Sequence, residues 1–518
     1  MTAPELQLGE ASALRRVLPI SRDPLSLYAA LTDRGERADT LLLEDAGGRA
    51  FIVEKAALRA ECRGAEVTLT ALSSGGRLVL KAVARQHGRN VAASAEDSLT
   101  LGFPRTDEED AEARLLAPSP FDALRTLVQT LTSLSADEPF ALFTAGIVSF
   151  DHVDIFERLP GGQEDALGFP DYQFWLAESL IVLEPNAPAR LICTAFGSDC
   201  RREAEQAYHG ATKRLARLVE RCEAATGRIE VPATAEAPSE AAVDLSDDAF
   251  ASLVARLKRN IEAGDVYQIV PSRTFAVPCS DPVGAFAKQR RLDPSPYMFF
   301  VSGPGHSLFG ASPESAVRVH RDEGWPIVEV RPIAGTRARG ETADLDDRLE
   351  ADLRLDEKET AEHMMLVDLA RNDVARISVP GTRRVASLLK VERFARVMHL
   401  VSLVRGNLAT GFDPFHALQA CLNVGTLTGA PKLKAMTLLR QHEATRRGPY
   451  GGAIGWVSGT GEMDSAVIIR SAVVRDGQAW VRAGAGVVHD SDPMREADET
   501  RRKASAVLMA LASAEAAR

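Results

Sequence analysis

The chain is poor in paired cysteine. Its six cysteines, Cys62, Cys193, Cys200, Cys222, Cys279 and Cys421, are widely spread, and none belongs to a C-x-x-C pair. That argues against a disulfide framework and a zinc ribbon, and points to incidental thiols in a reducing compartment. No apolar run reaches the ~20 residues that span a bilayer. The opening "MTAPELQLGEASALRR" lacks a basic stretch followed by an apolar core, so no secretory signal is expected and the cytoplasm is the expected location. Positive charge is in deficit as well. The formal net charge of −11 argues against a nucleic-acid or anionic-membrane partner. No fixed-period repeat marks a solenoid or propeller.

What remains is a soluble globular balance, 45% hydrophobic and 26% charged, in 518 residues, enough for two or more domains. The stretch "EVPATAEAPSEAAVDLS", residues 230–246, has no periodic apolar face and reads as a linker between regions 1–229 and 247–518. Upstream, "ADTLLLED", "AEVTLTAL", "ALFTAGIVSFD" and "YQFWLAESLIVLEP" read as strands. "PFDALRTLVQTLTSL" and "REAEQAYHGATKRLARLVERCEAA" read as helices. Downstream, Ser246 caps a helix carrying Phe250, Leu253, Val254, Leu257 and Ile261, and Gly264 stops it. "DVYQIVPSRTFAV" reads as one strand with Val266, Gln268 and Val270 on one face. "YMFFVSG", "HSLFGA", "SAVRVH", "IVEVRPIAG", "AVIIRSAVV" and "AWVRAGAGVV" follow as further strands. Many short strands joined through turns predict an α+β fold with antiparallel sheets.

Two helices open on a carboxylate pair. "DEKETAEHMML" holds Glu359 and Glu362, and "MREADETRRKA" holds Glu496 and Glu499, with Lys503 one turn on. Acidic residues favour any helix N-terminus. Here, however, the stripe continues into Leu366, Leu369 and Ala370 in one helix and Val507, Leu508 and Leu511 in the other, so the carboxylates begin a core-facing face. Inward carboxylates need a proton or a cation, and two pairs suggest a hard metal, magnesium first. Other features keep two readings each. Gln268 is a functional amide or an edge residue. Gly484-Ala485-Gly486 is an anion cradle or a bulge, and is not a dinucleotide fingerprint. Arg470, in an apolar run, grips a carboxylate or lies at an edge. His399 is a catalyst or a satisfied core residue. Together with Tyr450 these suit a small anionic substrate.

The long ordered motifs "AGDVYQIVPSR", "PSPYMFF", "LFGASPES", "PIAGTRARG", "KETAEHMMLVDLARND", "VMHLVS", "GTLTGAPK", "YGGAIGW" and "AGAGVVHDSDPMREADETRRKA" resemble the chorismate-utilising enzymes, and within them the anthranilate synthase large subunits. The likeness spans about residues 246–510; "LLLED" and "GIVSFD" extend it more weakly upstream. It implies two packed antiparallel β-sheets flanked by helices, with both sequence regions interleaved. It implies chorismate and Mg²⁺, with Glu362 and Glu499 as direct ligands and Glu359 and Glu496 holding the metal's waters. It implies that Arg470 and Tyr450, helped by the backbone of Gly484, Ala485 and Gly486, hold the enolpyruvyl carboxylate. Lys503 would lie near the ring carboxylate and Thr426 would line the ring pocket. Glu314 would protonate the departing hydroxyl, Gln268 would position ammonia, and His399 would assist the second step.

Two positions separate the relatives. Aminodeoxychorismate synthases usually carry Lys where this chain has Ala334, and isochorismate and salicylate synthases carry a Lys base where it has Gln268. Ammonia is then the nucleophile; a synthase that stops at the aminated intermediate remains the alternative. No G-x-C-x-G-x-Q-like segment is present, so ammonia is expected from a separate glutamine amidotransferase subunit, component II, in a heterotetramer of two large and two small subunits. The resemblance also implies a tryptophan effector site at Leu43, Glu44, Asp45, Pro296, Tyr297, Met298, Ile454 and Trp456. Asp45 departs from the family's usual Ser. Its charge either pairs with the ligand's ammonium or loosens inhibition.

Overall fold

Two long strands, Ala50–Arg63 and Tyr172–Leu183, organise the molecule, which is described here from a computed structural model covering residues 5–233, 241–394 and 397–516. They run antiparallel from Ala50 opposite Leu183 to Cys62 opposite Tyr172, with register shifts around Val53, Lys55 and Ala56. Such shifts bend a strand and let it change partners. From one end of the pair, a ladder runs through Thr40–Glu44, Tyr297–Gly303, His306–Ser312, Ser471–Arg475, Gln478–Gly484 and Ser272–Pro278. From the other, it runs through Phe143–Val148, Ala453–Ser458, Met463–Val467, Ser315–Asp322, Trp325–Val330 and Val397–Asn407. All of these pairings are antiparallel. The result is two antiparallel sheets sharing two strands, each sheet built from both halves of the chain: the expected α+β fold.

Side-chain alternation separates the layers. Leu41 and Leu43 enter the core between the sheets with Phe51, Trp175, Phe299 and Trp456. Leu42 and Phe300 point the other way, against helices Pro24–Leu31, Pro282–Leu292 and Pro493–Ala516. The outer face of the second sheet is covered by Glu357–Ala375 and Pro414–Cys421 through Val367, Ala370, Val374, Phe415 and Leu418. Period-two patterning thus decides which layer each strand residue joins.

Three expected strands are broken. "DVYQIVPSRTFAV" becomes Gln268–Ile269, paired with Gly429–Ala430 in a separate two-stranded ladder, and Ser272–Pro278 in the main sheet. Pro271 between them has no N–H to donate. Alternation fails accordingly, since Tyr267 is 72% exposed while Ile269 is buried. "IVEVRPIAG" divides around Pro332 for the same reason. "AVIIRSAVV" divides at Arg470, which adopts a positive φ of 47° between Met463–Val467 and Ser471–Arg475. Arg470 is therefore not inside a strand; it sits at the turn-like break between two. Of the expected linker, residues 234–240 lie outside the described residues, and Ala242–Val243 pairs with Phe275 and Ala276 as a short strand.

Candidate active site

The two acidic helices sit on opposite sheets, and their first turns converge. Asp356 caps one of them, accepting from the Glu359 amide at 3.0 Å. Leu366, Val367 and Ala370 bury the next turns, leaving Glu359 and Glu362 half-buried. On the C-terminal helix, Val507, Leu508 and Leu511 are buried and Glu496 and Glu499 are half-buried. Burial raises the Glu362 carboxyl above its usual range; Lys358 opposes this, and Glu359 and Glu496 add to it. Burial likewise raises Glu496, against Ser491 and Lys503. The charge of Glu496 thus reaches Glu362 from the other helix. Glu499 lies 3.7 Å from the Lys503 ammonium, and Glu359 lies 3.6 Å from Arg337. Among the described residues, no group of three His, Cys, Asp or Glu converges closely enough to hold a metal alone. The donor set is all oxygen, from two helices, and like-charged at half burial. It suits a hard cation that keeps water and borrows a substrate oxygen.

Glu314 lies in the turn between His306–Ser312 and Ser315–Asp322 and is 8% exposed. Thr426 Oγ1 donates to its Oε1 at 2.6 Å. Burial pushes the Glu314 carboxyl up to about 7, against the Thr426 hydrogen bond and the charges of Lys503 and Arg470. A carboxylic acid still protonated near neutrality can donate a proton to a leaving oxygen. Lys503 Nζ donates to the Gly484 carbonyl at 3.2 Å. A Cβ on Gly484 would stand 2.8 Å from the Tyr450 hydroxyl, and one on Gly486 would stand 2.9 Å from Gln268 Nε2. Glycine at these two positions therefore lets the Tyr450 and Gln268 side chains approach the backbone of the Gly484–Gly486 turn. Ala485, between them, is fully buried.

His399 is 8% exposed, on Val397–Asn407 beside the strand carrying Ala334. Its Nδ1 donates to the Gly335 carbonyl at 2.9 Å. That bond assigns the proton to Nδ1 and leaves Nε2 with a free lone pair. Burial, with Arg470 nearby, lowers its pKa despite the Gly335 bond, so the ring is neutral at neutral pH. Arg470 is held by a group the sequence reading missed: its Nη1 lies 3.0 and 3.1 Å from the two oxygens of Asp293. Gln289 Nε2 also donates to the Arg470 carbonyl at 2.6 Å. Asp293 is 177 residues from Arg470, and no local spacing links them.

The expected effector residues also meet. Met298 pairs with Glu44, and Phe299 with Leu43. Glu44 is taken by Arg290 at 2.9 Å. Asp45, 4% exposed, accepts from Arg49 Nε at 2.8 Å and from the Gly47 amide at 2.9 Å. The Arg49 guanidinium stands 5.2 Å from the Trp456 ring, which packs against Phe51, Phe140 and Phe143. Tyr297 donates to Asp464 at 3.0 Å; Pro296 lies just before it, and Ile454 is buried with Trp456 in the inter-sheet core. Asp45 therefore already has a cationic partner, a third arrangement beside the two expected for it.

A protonated buried acid, a neutral imidazole, convergent carboxylates and cations near a glycine turn together define a site for acid–base chemistry on a small polyanion. Residues 84–509 match the chorismate binding enzyme family, and the chain belongs to that family. It is 44% identical over 516 residues to anthranilate synthase component 1 of Vibrio cholerae, covering 96% of each chain. It is 41% identical over 506 residues to anthranilate synthase component 1 of Escherichia coli, covering 95% of each. Among solved structures it is similar to anthranilate synthase component I from Streptococcus pneumoniae, with a TM-score of 0.70 and 28% identity over 89% of this chain and 92% of that one.

Proposed function

We propose that this chain is the chorismate-converting component of an anthranilate synthase, making anthranilate and pyruvate from chorismate and ammonia at the head of tryptophan biosynthesis. The observation that carries the reading is Glu314, held protonatable beside Thr426 with Lys503 and Arg470 close by. Arg470, Tyr450 and the Gly484–Gly486 backbone bind the enolpyruvyl carboxylate; Asp293 presets the guanidinium. Gln268 presents ammonia to C2. As the C2–N bond forms and the C4–O bond breaks, Glu314 gives its proton to the departing oxygen, which leaves as water. The new C2 ammonium sheds its extra proton, which restores the Glu314 acid. His399 Nε2 then takes the C2 proton while the enolpyruvyl C3–O bond breaks, the ring becomes aromatic, and the departing enolpyruvate takes up a proton at its methylene carbon to become pyruvate. Glu362 and Glu499 would hold a Mg²⁺ ion, with Glu359 and Glu496 on its waters. Bound there, the ion supplies positive charge against the substrate's ring carboxylate.

Ala334 and Gln268 support ammonia as nucleophile over a lysine amine or an activated water. A glutamine amidotransferase subunit supplies the ammonia in a two-plus-two heterotetramer, in the cytoplasm, where six cysteines joined by no disulfide stay reduced. Tryptophan is the inhibitor this reading implies. Its route to the substrate would run through the short loop 294–296, because Asp293 immediately precedes that loop and grips Arg470, and the strand Tyr297–Gly303 follows it. The test is purified chain with chorismate, ammonium and magnesium. Anthranilate fluorescence should appear with pyruvate in equal amount; an aminated product without pyruvate would overturn the reading.

A further inference from the structure

Behind the substrate-facing residues lies a buried arginine that none of the expected roles uses. Arg447 is 3% exposed. Its Nε and Nη2 donate to Glu443 at 2.8 and 2.7 Å, a bidentate pair across one helical turn's spacing in sequence. Its remaining donors go to backbone. Nη1 donates to the Leu427 carbonyl at 2.6 Å, next to Thr426, and Nη2 to the Val270 carbonyl at 2.7 Å, two residues from Gln268. The guanidinium also lies 5.8 Å from the Tyr450 ring and 4.5 Å from Phe150.

Glu443 extends the clamp. It accepts from the Ser272 amide and hydroxyl, both at 2.9 Å, and from Arg482 Nη2 at 3.1 Å. Ser272 pairs with Gly484 in the sheet, and Arg482 lies two residues before Gly484 on the same strand. We propose that Arg447, clamped by Glu443, is a positioning residue that holds the Gln268, Thr426 and Tyr450–Gly484 segments in register around the substrate. This rests on the reading of the site given above.

Two features make the clamp more than a stabilising contact. The three segments come from separate parts of the chain, with no regular element joining all of them. Gln268–Ile269 has only the short Gly429–Ala430 ladder and a single bridge from Ile269 to Val487, and Thr426 belongs to the single turn Gly425–Thr428. Second, the cluster holds two arginines and one glutamate. Glu443 stays ionised, since Arg447 and Arg482 outweigh the effect of its burial and hold it at about 2. Within the clamp, two guanidiniums thus meet one carboxylate behind Tyr450, with Asp151 a further negative charge within reach of Arg447. Lysine cannot replace this arginine, because an ammonium lacks the planar fork that serves Glu443 and two carbonyls together.

The experiment compares Arg447→Lys and Ser272→Ala with Arg190→Met, which breaks a pair with Glu138 at 3.2 Å in the N-terminal half. In folded Arg447→Lys, the KM values for chorismate and ammonium should both rise at least fivefold, with a smaller change in kcat. Amide hydrogen exchange should quicken at 267–270 and 425–428 without quickening across the inter-sheet core. Ser272→Ala, the milder change, should raise the chorismate KM by about twofold to threefold, and Arg190→Met should leave both KM values unchanged. Unchanged exchange at those segments, or KM values within 1.5-fold of the parent in both site variants, would overturn the proposal. If Arg447→Lys does not fold, Ser272→Ala alone decides by the same two readouts. Exchange does not depend on turnover, so an inactive parent chain would refute the function while leaving the positioning role testable.

Discussion

At the scale of single residues, the site depends on which protons are held. Glu314 keeps its proton to about pH 7 because it is buried and only partly compensated by Thr426, Lys503 and Arg470. In the role proposed for it, general acid, it works protonated. At a fixed concentration of free NH₃, kcat/KM for chorismate should therefore fall as pH rises through about 7; a rate rising through pH 8 under that correction would remove Glu314 from the role. Glu314→Gln should lose about a hundredfold to ten-thousandfold in rate, the usual worth of a positioned acid. The same group shapes stability. Between the unfolded carboxyl's value near 4.5 and the folded value near 7, the folded chain binds the extra proton, so stability falls as pH rises through that window. Glu314→Gln should flatten that part of the curve, read by urea titration at pH 5 and pH 8. Asp45 is the other residue whose environment decides its effect. Arg49 takes its charge and stands over Trp456. The natural chain is expected to resist micromolar tryptophan, and Asp45→Ser, which frees Arg49, should tighten inhibition. Strong inhibition of the natural chain, unmoved by the substitution, would count against this.

At the scale of elements, the two acidic helices act as a pair. Each is fixed to its own sheet by leucine, valine and alanine, and neither carries enough carboxylate to hold a cation alone. Glu362→Gln and Glu499→Gln should each abolish turnover with little change in unfolding midpoint, because both carboxyls lie at the half-exposed start of a helix. EDTA should do the same reversibly in the natural chain. Turnover that persists without bound metal would sink the assignment. The strands have a different sensitivity. Phe299 is 1% exposed between the sheets, so Phe299→Ala should cost about 3–5 kcal/mol in denaturant unfolding, the usual range for Phe→Ala in a packed core.

At the scale of the whole molecule, the two sheets are one continuous structure through Ala50–Arg63 and Tyr172–Leu183. The N-terminal half supplies Thr40–Glu44 to the sheet that carries Tyr297–Gly303, and Phe143–Val148 to the sheet that carries Ala453–Ser458. A separately expressed C-terminal half, residues 247–518, should therefore fail to fold cooperatively, shown by loss of near-ultraviolet dichroism. The intact chain should make anthranilate from ammonium at raised pH and none from glutamine. Glutamine-dependent synthesis by this chain alone would refute the need for an amidotransferase partner.

Several features follow from the amino-acid order alone, because they depend on neighbours within one or two turns. The Glu359–Glu362 and Glu496–Glu499 pairs share a helix face by spacing, and Ser246 caps its helix through the Ala249 amide as its type predicts. Alternation along "TLLLE" sorts Leu41 and Leu43 from Leu42. The ordered motifs carried the family and drew attention to Glu314, His399 and Arg470. Tertiary structure alone decided the rest. Prolines 271 and 332 interrupt hydrogen-bonded ladders that hydrophobic patterning reads as continuous, and the positive φ of Arg470 leaves no trace in composition. Asp293 reaches Arg470 across 177 residues, and Val270 reaches Arg447 across a similar distance, because strands distant in sequence are neighbours in the sheets. Protonation of Glu314 and the tautomer of His399 belong to the same class. Burial keeps the proton on Glu314 against the Thr426 hydrogen bond, and the Gly335 carbonyl fixes the His399 tautomer; both surroundings exist only once the two sheets have closed around them.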